Sequence, residues 1–399
     1  MLEDISFDNF KCLSNKTFAL SKINLFTGYN GRGKSSVMQM LLLLSQSTRK
    51  EDVSSLSRLH LNGDLVNLGD FDELIADTNR LDFGVQMKLS SGHNVNLCYK
   101  MTDDYKIGEL GECFIDDINY FSSISALSGV GLENSKAQQT LLQLPTWLNE
   151  QFKAVHYVAA DRIGPVKFVE KREIPQVHKV GADGSLTINT IATYRDRISA
   201  DMVPIDKVAS TYSLQEAVSI WIDYIMNGGD ISVGGNDIKK NESTTKKTAV
   251  LDLEFGFEDK ARKYQSYHVG FGYSYMLPIV VTALIAKEGD IVIVENPEAH
   301  LHPEAQTRLT FMLSKLAGRN VQVFIETHSE HVINGVRLAV LKDEYLLTSK
   351  DVRIFFFDKD FTKVDLEIKN NGRIENWPNR FFDQYQNELA EILKLGATK

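Results

Sequence analysis

Cysteine is scarce: three in 399 residues, Cys12, Cys98 and Cys113, with no C-x-x-C pair among them. That excludes a disulfide scaffold and a thiolate zinc site, and it fits a reducing cytoplasm. Long apolar runs are missing as well. The longest, Met276 to Ala286, ends in Lys287-Glu288-Gly289-Asp290 and is shorter than the ~20 residues a bilayer-spanning helix needs. The start, Met1-Leu2-Glu3-Asp4, lacks the basic, then apolar, then small-residue order of a signal peptide. There is no internal repeat and no sustained heptad pattern, hence no long coiled-coil arm. Positive charge is not in excess either: the formal net charge is -9, so any nucleic-acid contact must be a local patch working against the overall field. These absences leave the expectation of a cytoplasmic protein without membrane contact.

What is there begins with Gly28-Tyr29-Asn30-Gly31-Arg32-Gly33-Lys34-Ser35, a complete G-x-x-x-x-G-K-[ST] phosphate-binding loop. Ile23 to Thr27 reads as a short buried strand running into it, and Ser36 to Leu44 as a buried helix leaving it. Glycines let the backbone N–H groups turn inward toward phosphate oxygens, and the helix start adds the positive end of its dipole. Asn30, Gly31, Arg32, Gly33 and Ser36 form the cradle, Lys34 reaches the β- and γ-phosphates, and Ser35 ligates Mg²⁺.

Elsewhere the pattern is mixed. Leu2 to Phe7 reads as an edge strand, with a hairpin through Asn9-Phe10-Lys11 to Leu20; Phe10 and Lys11 read as a core aromatic and a solvated lysine. Leu59 to Met101 reads as largely strand, with Asn62-Gly63-Asp64 as a hairpin turn. Ser135 to Phe152 reads as a helix bearing Leu141, Leu142, Leu144 and Leu148 and interrupted at Pro145. Val155 to Ala160 is a buried strand that delivers Asp161-Arg162, a pair that is either a solvated turn or a contact with the nucleotide. Leu214 to Met226 has helical spacing. Asn227 to Thr248, with Lys239-Lys240 and Lys246-Lys247, reads as a basic solvated loop.

A second group of motifs lies downstream. Asp290 to Val294 is a strongly β-forming strand ending in Glu295-Asn296-Pro297-Glu298-Ala299-His300-Leu301-His302-Pro303, a hydrophobic strand that carries acidic residues toward a metal. Before it, His268-Val269-Gly270-Phe271-Gly272-Tyr273-Ser274-Tyr275 opens the helix Met276 to Ala286. After it, the strand Val321 to Ile325 runs into Glu326-Thr327-His328-Ser329. His300, His302, His328 and His331 lack the further ligands of a metal site. Asp358-Lys359-Asp360 reads as a hairpin turn rather than a nuclease motif.

Together these segments resemble the ATP-binding cassette ATPases, in the compact branch related to SMC proteins and OLD-family ATPases. GYNGRGKSS stands for Walker A, VGFGYSYMLP for the signature, ENPEAHLHP for Walker B with its D-loop, and ETHSEH for the switch histidine. The closing Gly372-Arg373-Ile374-Glu375-Asn376-Trp377-Pro378 and Phe381-Phe382-Asp383-Gln384 resemble the tail of a bacterial subgroup, several of whose wider relatives work in phage defence beside a nuclease or toxin. The resemblance implies an α/β ABC-ATPase head: a P-loop core sheet flanked by helices, with an antiparallel β subdomain and inserted helical segments. It implies one head over 1–399, made of an N-terminal lobe 1–102 with Walker A, an inserted lobe 103–265, and a C-terminal lobe 266–399 with the remaining motifs.

It further implies ATP and Mg²⁺ as cofactors and a homodimer, or a higher oligomer built on it, that sandwiches two ATP molecules. Ser35 and Glu295 then hold the metal, Gly272 and Ser274 approach the γ-phosphate from the opposite subunit, and His328 senses it. Two departures stand out. Asn296 occupies the position of the usual catalytic glutamate and has no basic oxygen; either Glu295 combines metal support with base work, or Glu298 contributes, or hydrolysis is slow, which is the expectation adopted. Phe271-Gly272-Tyr273-Ser274 replaces the usual Ser-Gly-Gly order. The function expected is an ATP-driven switch for a protein effector such as a nuclease or toxin; an ATP-gated DNA clamp and a non-hydrolysing scaffold are the alternatives.

Overall fold

Five apolar runs lie side by side at the centre of the computed structural model, which describes residues 1–48, 55–120, 145–176, 179–204, 209–239, 247–257, 260–378 and 381–396. Val155–Val158, Ile291–Glu295, Gln322–Glu326, Ile23–Gly28 and Val352–Phe357 pair in parallel in that order, and Lys363–Leu366 closes one edge antiparallel. A parallel sheet is covered on both faces, so its strands are apolar at successive positions. Alternate residues therefore divide between two cores. Ile23, Leu25, Val292, Val294, Val323, Ile325 and Phe356 enter one together with the helices Phe271–Ile285, Pro303–Gly318 and Glu330–Val340. Phe26, Ile291, Ile293, Phe324, Phe355 and Phe357 enter the other, with the helix Lys34–Ser47 and a seven-stranded antiparallel sheet. The fold is an α/β P-loop head with antiparallel β additions.

Local signals explain several elements. The helix Leu214–Met226 has the expected span because Ser213 and Glu216 form a capping box at its start and Asn227 takes a left-handed φ of 57° at its end. The Asp358-Lys359-Asp360 turn joins two paired strands, Val352–Phe357 and Lys363–Leu366. Pro145 stands just ahead of the helix Thr146–Lys153, and Leu148 in it is buried. Leu141, Leu142 and Leu144 lie outside the described residues.

Other expectations are corrected. Leu2–Asp8 is an inner strand, flanked by Lys16–Ala19 and Asp82–Leu89; its alternation reflects one buried face, which edge and inner antiparallel strands share. Phe10 is in the core, but Lys11 donates to Gln39 at 2.8 Å rather than standing in solvent. Between Leu61 and Leu81 there is little strand: Asn62 and Asn67 form a single bridge across the Asn-Gly-Asp turn. Asn227 to Thr248 is not a loop throughout, since Asp230–Lys239 and Lys247–Phe257 form a long antiparallel pair; glycine and polar residues hid the alternation of Ile231 and Val233. Lys240 and Lys246 lie outside the described residues. The antiparallel sheet also runs past residue 102 through Ile107–Ile115, and Val155–Val158 joins the central sheet.

The central aromatic packing can be tested. Phe26 is fully buried, with ring centroids 5.0 Å from Phe355 and 6.2 Å from Phe18 and Phe324. Phe26→Ala is expected to cost about 3–5 kcal/mol in denaturant unfolding; a loss below about 1 kcal/mol contradicts this packing.

Candidate functional site

The C-terminal ends of the parallel strands bring the motifs together. Gly28 ends its strand beside Phe357, with φ 120°, and a Cβ there would sit 2.2 Å from the Phe357 carbonyl oxygen; only glycine lets the chain turn so close to its neighbour. Gly31 and Gly33 also take positive φ, and Gly33 caps the helix that begins at Lys34. Asn30 and Gly31 are exposed, while Ser36 is buried with its N–H on the Gly33 carbonyl at 3.2 Å. Arg32 lies over the Phe361 ring, 4.5 Å from its centroid.

Lys34 is only 3% exposed. Its ammonium donates to the carbonyls of Gly28 (3.1 Å) and Tyr29 (2.9 Å), so it folds back over its own loop. Burial lowers its pKa from the ordinary value, and Glu326 opposes that shift. Ser35 donates to Glu326 Oε2 at 2.6 Å, while Glu326 Oε1 is 3.9 Å from Lys34 Nζ. Glu326 stands beside Glu295 in parallel register, and burial raises the pKa of both carboxyls.

Glu295 Oε2 accepts from the Ala160 N–H at 3.3 Å. Asn296 takes a left-handed φ of 44° and donates its N–H to the Glu326 carbonyl at 2.8 Å. Its Oδ1 is buried without a hydrogen-bond partner. Glu298 is committed elsewhere, accepting from the Thr327 hydroxyl at 2.9 Å and the His328 N–H at 2.7 Å. It thereby ties the segment after one strand to the segment after the next.

Arg162 is 3% exposed, so the solvated-turn reading fails for it. It donates to the carbonyls of Glu295 (3.3 Å) and Asn296 (2.7 Å), and burial pulls its pKa down to about 10. It clamps the backbone that carries the acidic motif. Asp161 beside it is exposed.

Gly272 and Ser274 face inward within this chain. A Cβ on Gly272 would meet the His300 carbonyl oxygen at 2.7 Å. Ser274 is 9% exposed, and its hydroxyl, which lacks a protein partner, lines a small cleft with Pro278 and Thr187. The helical repeat turns these two residues toward the core, and Gly270 and Phe271 are exposed at the helix start instead. His300 packs on Tyr275, with ring centroids 4.5 Å apart, and His302 caps the helix Pro303–Gly318.

Sequence reasoning missed two contributors. In the sequence Glu326 is only part of a histidine motif; its reach to Ser35 depends on strand register. The closing segment carries a recognisable motif but no local signal of its position. Phe381 is fully buried against Phe356, at 5.3 Å between centroids, and Trp377 packs on Phe381 at 4.7 Å. This anchor sets Phe382, Asp383, Gln384 and Asn387 around a cavity of about 480 Å³ shared with Gly28, Tyr29 and His328.

Residues 1–252 and 205–333 match a family model described as an AAA ATPase domain. Residues 347–392 match a family described as a protein of unknown function, DUF3696. A curated relative, the energy-coupling factor transporter ATP-binding protein EcfA2 of Staphylococcus saprophyticus, is 22% identical over 144 residues, 35% of this chain and 50% of the relative. The chain therefore spans about half the length of that relative. Among solved structures, the Smc head bound to the C-terminal winged-helix domain of ScpA is 12% identical with a TM-score of 0.46, covering 92% of this chain and 97% of that one. The SMC head domain from Thermotoga maritima is 10% identical with a TM-score of 0.41, covering 92% and 99%. The recombination mediator RecF is 11% identical with a TM-score of 0.39, covering 92% and 98%.

The electrostatics at His328 give a direct check. Burial depresses its pKa below 6.5, and Lys34 lowers it further while Glu298 and Glu326 oppose. In a histidine NMR titration of the nucleotide-free protein His328 is expected to titrate below that value, and Lys34→Ala to move it upward by removing the nearby positive charge. A midpoint above 6.5, or a downward move, contradicts this arrangement.

Proposed function

The chain belongs to the AAA ATPase domain family, and on that premise we propose that it is an ATP-driven switch that dimerises around nucleotide, turns it over slowly and regulates a second protein. The convergence of Lys34, Ser35, Glu295 and Glu326 at the ends of neighbouring strands carries this reading. The residues suit the groups they would hold. Positive φ at Gly28, Gly31 and Gly33 shapes a backbone cradle for phosphate, and a hydroxyl with carboxylates is the hard-oxygen donor set that Mg²⁺ prefers. Asn30, Gly31, Arg32, Gly33, Lys34 and Ser36 would hold the phosphates, and Ser35 with Glu295 the metal. Bound Mg²⁺ supplies charge that offsets the phosphate oxygens.

Slow turnover is supported by two observations. Asn296 offers an amide rather than a base, and Glu298 already accepts two hydrogen bonds from the His328 segment. Glu295, beside Glu326 at its strand end, is the carboxylate left to combine metal support with water activation. His328 beside the loop would report phosphate occupancy, and the Glu298 contacts would pass that state to the residues after Asn296. For dimerisation the exposed Gly270 and Phe271 at their helix start are the groups available to a partner's phosphate site, in place of the inward Gly272 and Ser274. A protein effector is supported by the exposed Leu389, Ile392, Leu393 and Leu395 on the closing helix Gln384–Gly396. An effector of the nuclease or toxin class in phage defence is the biological setting this reading favours.

Sedimentation with saturating ATP and Mg²⁺ is expected to double the mass of the wild-type particle and to leave Lys34→Ala unchanged; equal mass with and without nucleotide contradicts the switch. Asn296→Glu is expected to raise steady-state ATP turnover by roughly tenfold or more, since a positioned base contributes on the order of 10²–10⁴. An unchanged rate means that Asn296 is not the brake.

A further inference from the structure

Ser35 has one proton and two lone pairs, and the partner that takes the proton decides where the lone pairs point. That partner is Glu326 Oε2, at 2.6 Å. Glu326 lies two residues ahead of His328 and directly beside Glu295 in parallel register. Residues in register on neighbouring strands send their side chains to the same face, about 4.8 Å apart. The two carboxylates therefore leave the sheet together, next to the hydroxyl that opens the phosphate-loop helix.

The other acidic-motif side chains do not do this work. Asn296 has no carboxylate, and Glu298 has both oxygens on the Thr327–His328 segment. Arg162 spends its guanidinium on the carbonyls of Glu295 and Asn296. Lys34, the cation nearest to Glu326, rests on carbonyls that it must release to reach a phosphate. With Lys34 drawn to a phosphate the Glu295–Glu326 pair would be short of positive charge, which a divalent ion held at Ser35 would supply.

We infer that Glu326 is a positioning carboxylate of the divalent-cation site: it holds the Ser35 proton, turns the Ser35 lone pairs toward the cation, and with Glu295 supplies the second negative charge that Asn296 does not. The inference rests on the ATPase reading and adds to it a residue outside the acidic motif. It also accounts for a glutamate in a largely buried position at the head of a strand end that otherwise presents Thr327 and His328.

The test uses the full-length chain, Mn²⁺ as the probe ion and a non-hydrolysable ATP analogue, with bound Mn²⁺ read by electron paramagnetic resonance. Glu326→Gln is expected to weaken Mn²⁺ binding in the ternary complex by roughly tenfold, the range for residues that orient a metal ligand. A fluorescent ATP analogue in EDTA is expected to bind the same variant within about twofold of wild type, because the phosphate loop is intact. Ser35→Ala combined with Glu326→Gln is expected to lose less Mn²⁺ affinity than the sum of the two single losses, since part of each effect runs through their shared contact. Wild-type Mn²⁺ affinity in Glu326→Gln overturns the proposal, and so does an equal loss of nucleotide in EDTA, which marks a packing role. Glu326→Asp, which keeps the charge, is expected to fall between; a loss as large as that of Glu326→Gln with an unchanged unfolding midpoint also counts against it. If the unsubstituted chain takes up no nucleotide with or without Mn²⁺, the ATPase reading itself fails and this inference with it.

Discussion

The register of three parallel strands is the constraint on which the rest of the site depends. Phe26 pairs with Glu326 and Glu326 with Glu295, so the strands leading to the histidine and to the acidic motif end at one level, and the strand leading to the phosphate loop ends two residues farther on, at Gly28. Parallel sheets place loops from successive strands at the same edge, which is where α/β proteins build their ligand sites. A shift of one residue in the strand that carries Glu295 or Glu326 would send that carboxylate into the core and an apolar neighbour to the site. Two apolar clusters, one on each face of the sheet, hold the register against that cost.

Within that frame the site is an arrangement of charges that need one another. Glu295 and Glu326 sit side by side, largely out of water, where like charges are costly. Lys34, the Ser35 hydroxyl and the Ala160 N–H offset part of that cost. Arg162 acts differently, fixing the carbonyls behind the acidic side chains so that the chain turns at Asn296. Nucleotide with its cation would satisfy the remaining imbalance, and differential affinity for the two states is what lets such a site drive a change in assembly.

Much of this was legible in the sequence where the determinants are local. The phosphate loop depends on glycines whose conformation is set within eight residues, and Gly28, Gly31 and Gly33 do take positive φ. The helix Leu214–Met226 carried its own caps, and the central strands were apolar enough to be recognised singly. What was not legible depends on contacts distant in sequence. Glu326 meets Ser35 across 291 residues, and no spacing rule foretells that. The closing segment could be recognised by its aromatic and acidic letters, but only the packing of Phe381 on Phe356 places it beside Gly28 and His328. The strand Asp230–Lys239 was hidden by polar residues on both faces, and the inward turn of Gly272 and Ser274 by the rotation of a helix whose neighbours the sequence does not specify.

Hydrogen–deuterium exchange on the full-length chain, with and without a non-hydrolysable ATP analogue and Mg²⁺, tests the central claim most directly. Slowed exchange at peptides covering residues 28–36, 295–298, 326–328 and 382–387, together with the partner-facing helix start at 270–271, is the result this account predicts. Protection at other surfaces with these peptides unchanged would contradict it.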